Sequence, residues 1–403
     1  MSKRSQISPA VITKLFLRHA RHPWIAKKLV ALQADKWLFN LTHSRLDEGY
    51  AKKIHQFSVR ITDVCNLRCV MCGQWGENGF LRGKKLSDLK KAEVSPARYI
   101  ELLDDMVANG HHPNVYLWGG EPMLYDGTLD IIGHASRLGL PPSIATNGTK
   151  LQKGIDCFTD SPLYLLQVSI DGHNAELHNG IRRPGNLDVF GAIMDGLSDM
   201  RDARERKKND LPFIASLTTI SRDNHDHLLD IYENISPMVD FLVFYPSWWI
   251  DEPSANAHAV DFERRFGQKP TLHRGWIGGW KPDNYALIES QMQAIRRRSA
   301  RLGTPPAVFI PNISGVDNLR EYYTNHRNSF GFDQCISIHQ VVEIDSNGDM
   351  SPCRDYHDYV VGNVKEHTVT ELWNSDRFRT FRQSLHRDGL MPVCSRCCGL
   401  MGY

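Results

Sequence analysis

The stretch Asp63-Val-Cys-Asn-Leu-Arg-Cys-Val-Met-Cys-Gly73 places Cys65, Cys69 and Cys72 within eleven residues. Their x3-then-x2 spacing gathers three thiolates around one centre, and thiolates select zinc, Cu(I) or iron–sulfur clusters. A structural zinc site normally closes its tetrahedron with a fourth Cys or His nearby, and none follows before His111. A cubane [4Fe–4S] cluster on three cysteines keeps one iron free to bind a substrate or cofactor. That spacing therefore points to chemistry rather than to bracing.

Outward from the triplet, short apolar strands alternate with helical stretches from about residue 56, the mark of a parallel α/β architecture. The strands are expected at Gln56 to Ile61, Asn114 to Trp118, Ser143 to Thr146, Leu163 to Ile170, Phe213 to Ile220 and Val239 to Tyr245. Helical patterns lie near Ala97 to Ala108, Leu129 to Leu138, Val189 to Arg206 and His225 to Ile235. Six βα units predict a partial (β/α)6 TIM-like barrel, whose active site belongs at the C-terminal ends of the strands. Gly119-Gly120-Glu121-Pro122 follows the second strand. Glycine pairs let backbone amides approach a ligand, and Glu121 at such a turn can pair with an ammonium. Alone, the motif reads more readily as a surface turn.

Taken in order, the triplet, Gly119-Gly120-Glu121-Pro122, Ser169 and Asp171 in Val168-Ser-Ile-Asp-Gly172, and Arg182 resemble the signature of the radical S-adenosylmethionine (radical SAM) superfamily. The resemblance covers residues 56 to 245. It implies that the open iron chelates the amino and carboxylate groups of SAM, and that the GGEP loop receives the ammonium. Ser169 and Asp171 would handle the carboxylate and ribose, with Arg182 directed toward the carboxylate. The reduced cluster would cleave SAM to methionine and a 5′-deoxyadenosyl radical that removes hydrogen from an unactivated C–H bond. Thr146-Asn147-Gly148 ends the third strand and either reaches SAM or forms a plain polar turn. One position departs from the family: the residue before the third cysteine is usually aromatic, and here it is Met71, a thioether able to pack on adenine.

Cys335, Cys353, Cys394 and Cys397 form a second set. Asp345-Ser-Asn-Gly-Asp349 reads as a hairpin turn that folds the first pair onto one site. Four thiolates saturate a cluster or a zinc ion. The arrangement, over residues 335 to 398, resembles a twitch subdomain, the shortened relative of the SPASM domain, which carries one auxiliary [4Fe–4S] cluster. In twitch-bearing relatives that cluster takes the electron left on the substrate radical. Cys398 is open to three readings: a substitute ligand, a hydrogen-atom donor, or a packed thiol. Cys157, in an apolar run, reads as a core thiol. Arg354-Asp-Tyr-His-Asp-Tyr359 offers a polar set near the substrate, with His357 or Asp355 as a general base or as ordinary hydrogen-bonding groups.

Composition sets the remaining expectations. The 403 residues are 41% apolar and 23% charged, with a formal net charge of +2. No run of 18 uncharged apolar residues occurs, which argues against a membrane helix, and no signal-peptide pattern opens the chain. Nine cysteines at metal-site spacings fit a reducing, cytoplasmic setting. Residues 1–55 carry eleven Lys/Arg against three Asp/Glu, the composition of a basic helical extension able to make a peripheral contact with an acidic surface. Residues 246–330, rich in Trp and Pro, break the alternation and are expected to cover the barrel mouth; residues 331–403 form the auxiliary-cluster domain. The expected partners are SAM, a small polar or sugar-like metabolite or a peptide, and a flavodoxin- or ferredoxin-type electron donor. No nucleic-acid partner is expected.

Overall fold

Period-two alternation along the first strand divides its residues between two environments. Phe57, Val59 and Ile61 are wholly buried apolar groups, while Ser58 and Arg60 point to the opposite side, where Ser58 accepts a hydrogen bond from Trp118 Nε1 at 3.0 Å. The first side packs against helices; the second lines the inside of a curved sheet. The computed structural model describes residues 49–161 and 163–401, together with Thr13, Lys14, His22, Lys27 and Ala34. The basic extension expected over residues 1–55 thus falls largely outside the described residues. Where described, Ala51 is buried and its carbonyl accepts from Trp373 Nε1.

Six parallel strands form where the sequence places them: β1 (Gln56–Thr62), β2 (Asn114–Gly119), β3 (Pro142–Thr146), β4 (Leu165–Ser169), β5 (Phe213–Ile220) and β6 (Phe241–Pro246). Their connections carry α1 (Pro96–Ala108), α2 (Thr128–Arg137), α3 (Ala175–Arg182), α4 (Val189–Lys207) and α5 (Leu228–Ile235). Ser95 caps α1 by accepting the Arg98 amide, with Pro96 at the first helical position. Leu102, Leu103 and Met106 of α1, and Ile193, Leu197 and Met200 of α4, then bury their apolar faces against the sheet.

The Trp/Pro-rich stretch holds α6 (Glu252–Phe266) and α7 (Tyr285–Ser299), after which the alternation resumes. A seventh strand, β7 (Ala307–Phe309), adds parallel to β6. The sequence does not reveal it, because four residues between Pro305-Pro306 and Pro311 are too few to establish a period.

The C-terminal part begins with β8 (Val341–Ile344), which pairs parallel with β1, Gln56 opposite Val341 and Val59 opposite Ile344. β8 turns through residues 345–348 into the antiparallel β9 (Asp349–Ser351), followed by β10 (Gly362–Asn363) and, further on, α8 (Asp376–Asp388). One sheet therefore runs β10-β9-β8-β1-β2-β3-β4-β5-β6-β7. Its ends are not paired to each other, so the barrel stays partial. Among the described residues no helix is long and apolar enough to cross a membrane.

Candidate active site at the barrel mouth

The cysteine loop leaves the C-terminal end of β1 and is tied down on three sides. Arg68 N and Val70 N donate to the carbonyls of Arg182 and Ile181 at the end of α3. Asn147 Nδ2, just past β3, donates to Asn66 Oδ1 at 2.9 Å. Trp276 covers the far side: an added Cβ at Gly73 would lie 2.7 Å from its ring, and Asn78 Nδ2 donates to Ile277 O. The Trp/Pro-rich stretch thus sits directly on the loop.

Each of the three sulfurs has an N–H neighbour. Leu67 N lies 3.4 Å from Cys65 Sγ, Trp75 N 3.4 Å from Cys72 Sγ, and Arg182 Nη1 3.7 Å from Cys69 Sγ. Such donors set the potential of a thiolate-bound cluster. Burial, ahead of the charge of Cys69, pushes the Cys65 thiol up to about 12. Burial likewise pushes Cys69 up to about 11, with Arg182 opposing. These thiols hold their protons until a metal displaces them. All nine cysteines are free of disulfides, and three mutually interacting thiols with N–H donors suit an iron–sulfur cluster with one open iron.

The backbone amides of the GGEP loop are used within the protein. The amides of Gly120 and Glu121 do not stand open to a ligand; they donate to Thr62 O at 2.7 Å and Val64 O at 2.9 Å. Both glycines are required by that close approach: an added Cβ would lie 2.4 Å from Thr62 O at Gly119, where φ is +139°, and 2.3 Å from Val64 O at Gly120. The motif fastens β2 to the root of the cysteine loop. Glu121 is wholly buried, and its carboxylate accepts from Thr146 Oγ1 (2.6 Å), Asn147 N (2.7 Å) and Met123 N (3.0 Å). It ties the ends of β2 and β3 together, with Pro122 starting the turn that follows.

Ser169 ends β4 half-buried. Asp171, two residues on, is wholly buried with both oxygens engaged: Oδ1 accepts from Thr219 N at 2.8 Å, and Oδ2 pairs with Arg182 Nη2 at 2.5 Å. Asp171 therefore meets Arg182 rather than open space, and holds that guanidinium against Cys69. Burial opposes the charge on Arg182, yet Asp171 and Cys69 keep its pKa above the ordinary value. His178, which sequence reasoning did not select, accepts the Asp171 amide on Nδ1 at 3.2 Å. Met71 is half-buried in the turn between the second and third cysteines.

In the second set Cys353, Cys394 and Cys397 are buried and Cys335 is partly exposed. Burial raises all four thiols, and the charges of the set reinforce one another, Cys353 with Cys394 and Cys335, and Cys397 with Cys353 and Cys394. Four converging thiols suit a cluster saturated by protein. Cys398 bonds Asp355, to which it donates from both N (2.8 Å) and Sγ (3.1 Å). Between Cys394 and Cys397, the buried Arg396 donates to the carbonyls of Tyr322, Asn325 and Asn328. Isolated in sequence, it carries no signal of that role. Cys157 is half-buried against the core.

His357 is not a free base. Its Nδ1 bonds Asp345 and its Nε2 lies 2.6 Å from Arg354 O. Arg354 points into the barrel, pairing with Glu343 at 3.1 Å and lying over the Tyr116 ring at 5.3 Å. Ser58, Tyr116, Trp118, Glu343 and Arg354 thus share the inner side of β8, β1 and β2.

The pattern of the radical SAM superfamily matches residues 59–233, and that of an iron–sulfur cluster-binding domain, SPASM, matches residues 335–398. The AdoMet-dependent heme synthase of Methanosarcina barkeri is 26% identical over 345 residues, covering 83% of this chain and 86% of its own. That of Oleidesulfovibrio alaskensis is 24% identical over 354 residues, covering 84% and 80%. Among solved structures, Streptococcus suis SuiB bound to S-adenosylmethionine superposes with a TM-score of 0.57 at 13% identity, over 85% of this chain and 71% of that one. Native anSMEcpe with bound AdoMet gives 0.52 at 15% identity, over 81% and 82%. At these identities the structural likeness speaks for the fold.

Proposed function

We propose, for a chain that belongs to the radical SAM superfamily and carries a C-terminal SPASM domain, an oxidative, two-electron modification at an unactivated C–H bond of a small polar or sugar-like metabolite. The enzyme's cofactors are SAM and two [4Fe–4S] clusters. In this reading Cys65, Cys69 and Cys72 hold the SAM-binding cluster, and Cys335, Cys353, Cys394 and Cys397 hold the auxiliary one. When reduced and bound, the first cluster supplies the electron that cleaves SAM to methionine and the 5′-deoxyadenosyl radical.

The chain's own residues do the rest. Asn147 and the GGEP loop fix the cysteine loop, Asp171 directs Arg182 toward Cys69, and Trp276 shields the loop from water. Excluding water and fixing the reacting geometry are the protein's share of such chemistry. The observation that supports the substrate reading is the polar group on the inner side of the sheet, with Glu343 and Arg354 paired at 3.1 Å beside Tyr116. That lining suits a hydrogen-bonding molecule. Saturation of the second set by four thiolates leaves it an electron outlet rather than a substrate ligand.

A second reading, oxidative maturation of a heme precursor, is favoured by the similarity to heme synthases along 83% of the chain. Anaerobic enzyme with both clusters, dithionite and SAM is offered deuterated metabolite extracts, porphyrin precursors or peptides. Deuterium entering 5′-deoxyadenosine from a polar metabolite supports the first reading. Transfer from a porphyrin or a peptide alone sinks it.

A further inference from the structure

We infer that His173, His227 and Asp230 form a divalent-metal site of the zinc type on the barrel rim, with open coordination positions for an oxygen ligand. His173 lies on the loop leaving β4, two residues past Asp171. His227 is the residue preceding α5, on the loop leaving β5, and Asp230 stands in the first turn of that helix. Adjacent parallel strands send both loops out at the same rim, so residues 54 positions apart in the chain meet there.

One ligand atom from each of the three residues lies within 4.8 Å of the other two. The imidazole centroids of His173 and His227 are 5.1 Å apart and tilted by 45°, and Asp230 Oδ2 is 3.1 Å from His227 Nδ1. His173 Nδ1 is buried and has no hydrogen-bond partner among the described residues. Buried polar atoms are rarely left so, and a metal would satisfy it. Two imidazoles and one carboxylate are the donor set of zinc sites that keep a position open, and of non-haem iron(II) sites.

The neighbour of His173 gives a specific handle. Asn174 uses Oδ1 to accept the Leu177 amide at 2.9 Å and places Nδ2 3.0 Å from His173 Nε2. With Nε2 accepting, the proton of neutral His173 sits on Nδ1. Coordination through Nδ1 moves that proton to Nε2, which then needs an acceptor where Asn174 presents a donor. Metal-bound histidines usually give their second N–H to a carboxylate or carbonyl. Asn174→Asp supplies that acceptor and keeps an oxygen for the helix cap.

The test uses tag-free holoenzyme with both clusters loaded, so that the cluster cysteines are occupied, stripped of loose metal and titrated with zinc chloride by calorimetry. One zinc per chain is expected. His173→Ala and His227→Ala should each weaken binding by at least about 10–100-fold, and Asn174→Asp should tighten it by a factor in the same range. Iron content and cluster absorption report whether each variant has folded. Absence of zinc binding to the wild type, or one-to-one binding that survives in the His173→Ala/His227→Ala double variant, overturns the site. Weaker binding in Asn174→Asp overturns coordination through Nδ1.

Discussion

Arg60 Nη2 lies 3.0 Å from Asp345 Oδ2, joining the first strand of the barrel to the iron–sulfur domain by a buried ion pair. The same guanidinium holds Asp63 at 3.1 Å through Nε. Asp345 in turn bonds His357, whose other nitrogen reaches the carbonyl of Arg354. Alternating charges thus run from Asp63, two residues before Cys65, to His357, with these side chains less than a tenth exposed, and end on the backbone carbonyl of the residue after Cys353. β8 pairing with β1 brings the ends of this chain together.

Removing Arg60 should therefore uncouple more than one contact. Arg60→Leu leaves Asp63 buried without its cation and strips Asp345 of one of two, a change that costs about 3–5 kcal/mol when one partner of a buried pair is lost. Denaturant unfolding of the holoenzyme should show that loss, and a fall below about 1 kcal/mol would mean that the pair is not buried in solution.

His357 gives this network a pH dependence. Burial alone would lower its pKa, but the charge of Asp345 and the hydrogen bond to it raise it above the ordinary value of 6.5. A raised folded pKa means stabilisation that is complete below the unfolded value and lost as pH rises through the folded one. Asp345 behaves oppositely. Burial pushes it up, but Arg60 and His357 hold it below 3.8, so its contribution is present above the unfolded value and lost as pH falls through the folded one. Wild type should lose stability on going from mildly acidic to alkaline pH more steeply than His357→Gln, which keeps a hydrogen-bonding group without a titrating one. Parallel curves for the two proteins would exclude this role for His357.

The elements of the barrel were legible because strand and helix periods differ and each unit is long enough to display one; Phe213 to Ile220 is found at the residues expected for it. Two cysteine sets were legible because thiols are rare and their spacing is local. What the sequence hid was long-range. The register of β8 on β1 depends on residues some 285 positions apart, and β7 is a three-residue strand within four residues between prolines. The amides of Gly120 and Glu121 could face a ligand or a neighbouring carbonyl, and the sequence of the motif is the same in either case. The family resemblance makes Asp171 and Arg182 both SAM contacts, while their contact with each other depends on α3, a helix of two turns with no long period to announce it.

Ligand assignment can be read by iron counting. Wild type should hold about eight irons per chain on the two-cluster reading. Substituting Cys65, Cys69 and Cys72 by Ala should reduce this to about four and abolish 5′-deoxyadenosine formation, and Cys353→Ala should lose the other four. Cys398→Ala should retain the full complement, because its thiol is turned to Asp355. Loss of iron from that variant would place Cys398 among the ligands.

Close packing around the cysteine loop predicts a coupling between Gly73 and Trp276. A methyl group at Gly73 meets the indole at 2.7 Å, and overpacking of this kind costs about 1–3 kcal/mol. Gly73→Ala should therefore be less harmful in a Trp276→Ala background, a coupling that a double-mutant cycle measures directly. Gly120→Ala has no such rescue, since its clash is with the backbone carbonyl of Val64 at 2.3 Å. It should lower iron retention at the first cluster whatever stands at position 276.

Asp171 separates direct from indirect control of the SAM site. Its carboxylate touches Arg182 and the Thr219 amide, and Arg182 touches Cys69. In Asp171→Asn the guanidinium loses its buried counter-ion, and its hold beside the sulfur changes before any SAM is present. The paramagnetic resonance spectrum of the reduced cluster should therefore shift in SAM-free enzyme, and SAM affinity should fall as well. A residue that simply bound SAM would leave the SAM-free spectrum as it is in wild type. An unchanged SAM-free spectrum with weakened SAM binding would return Asp171 to the role of a direct contact.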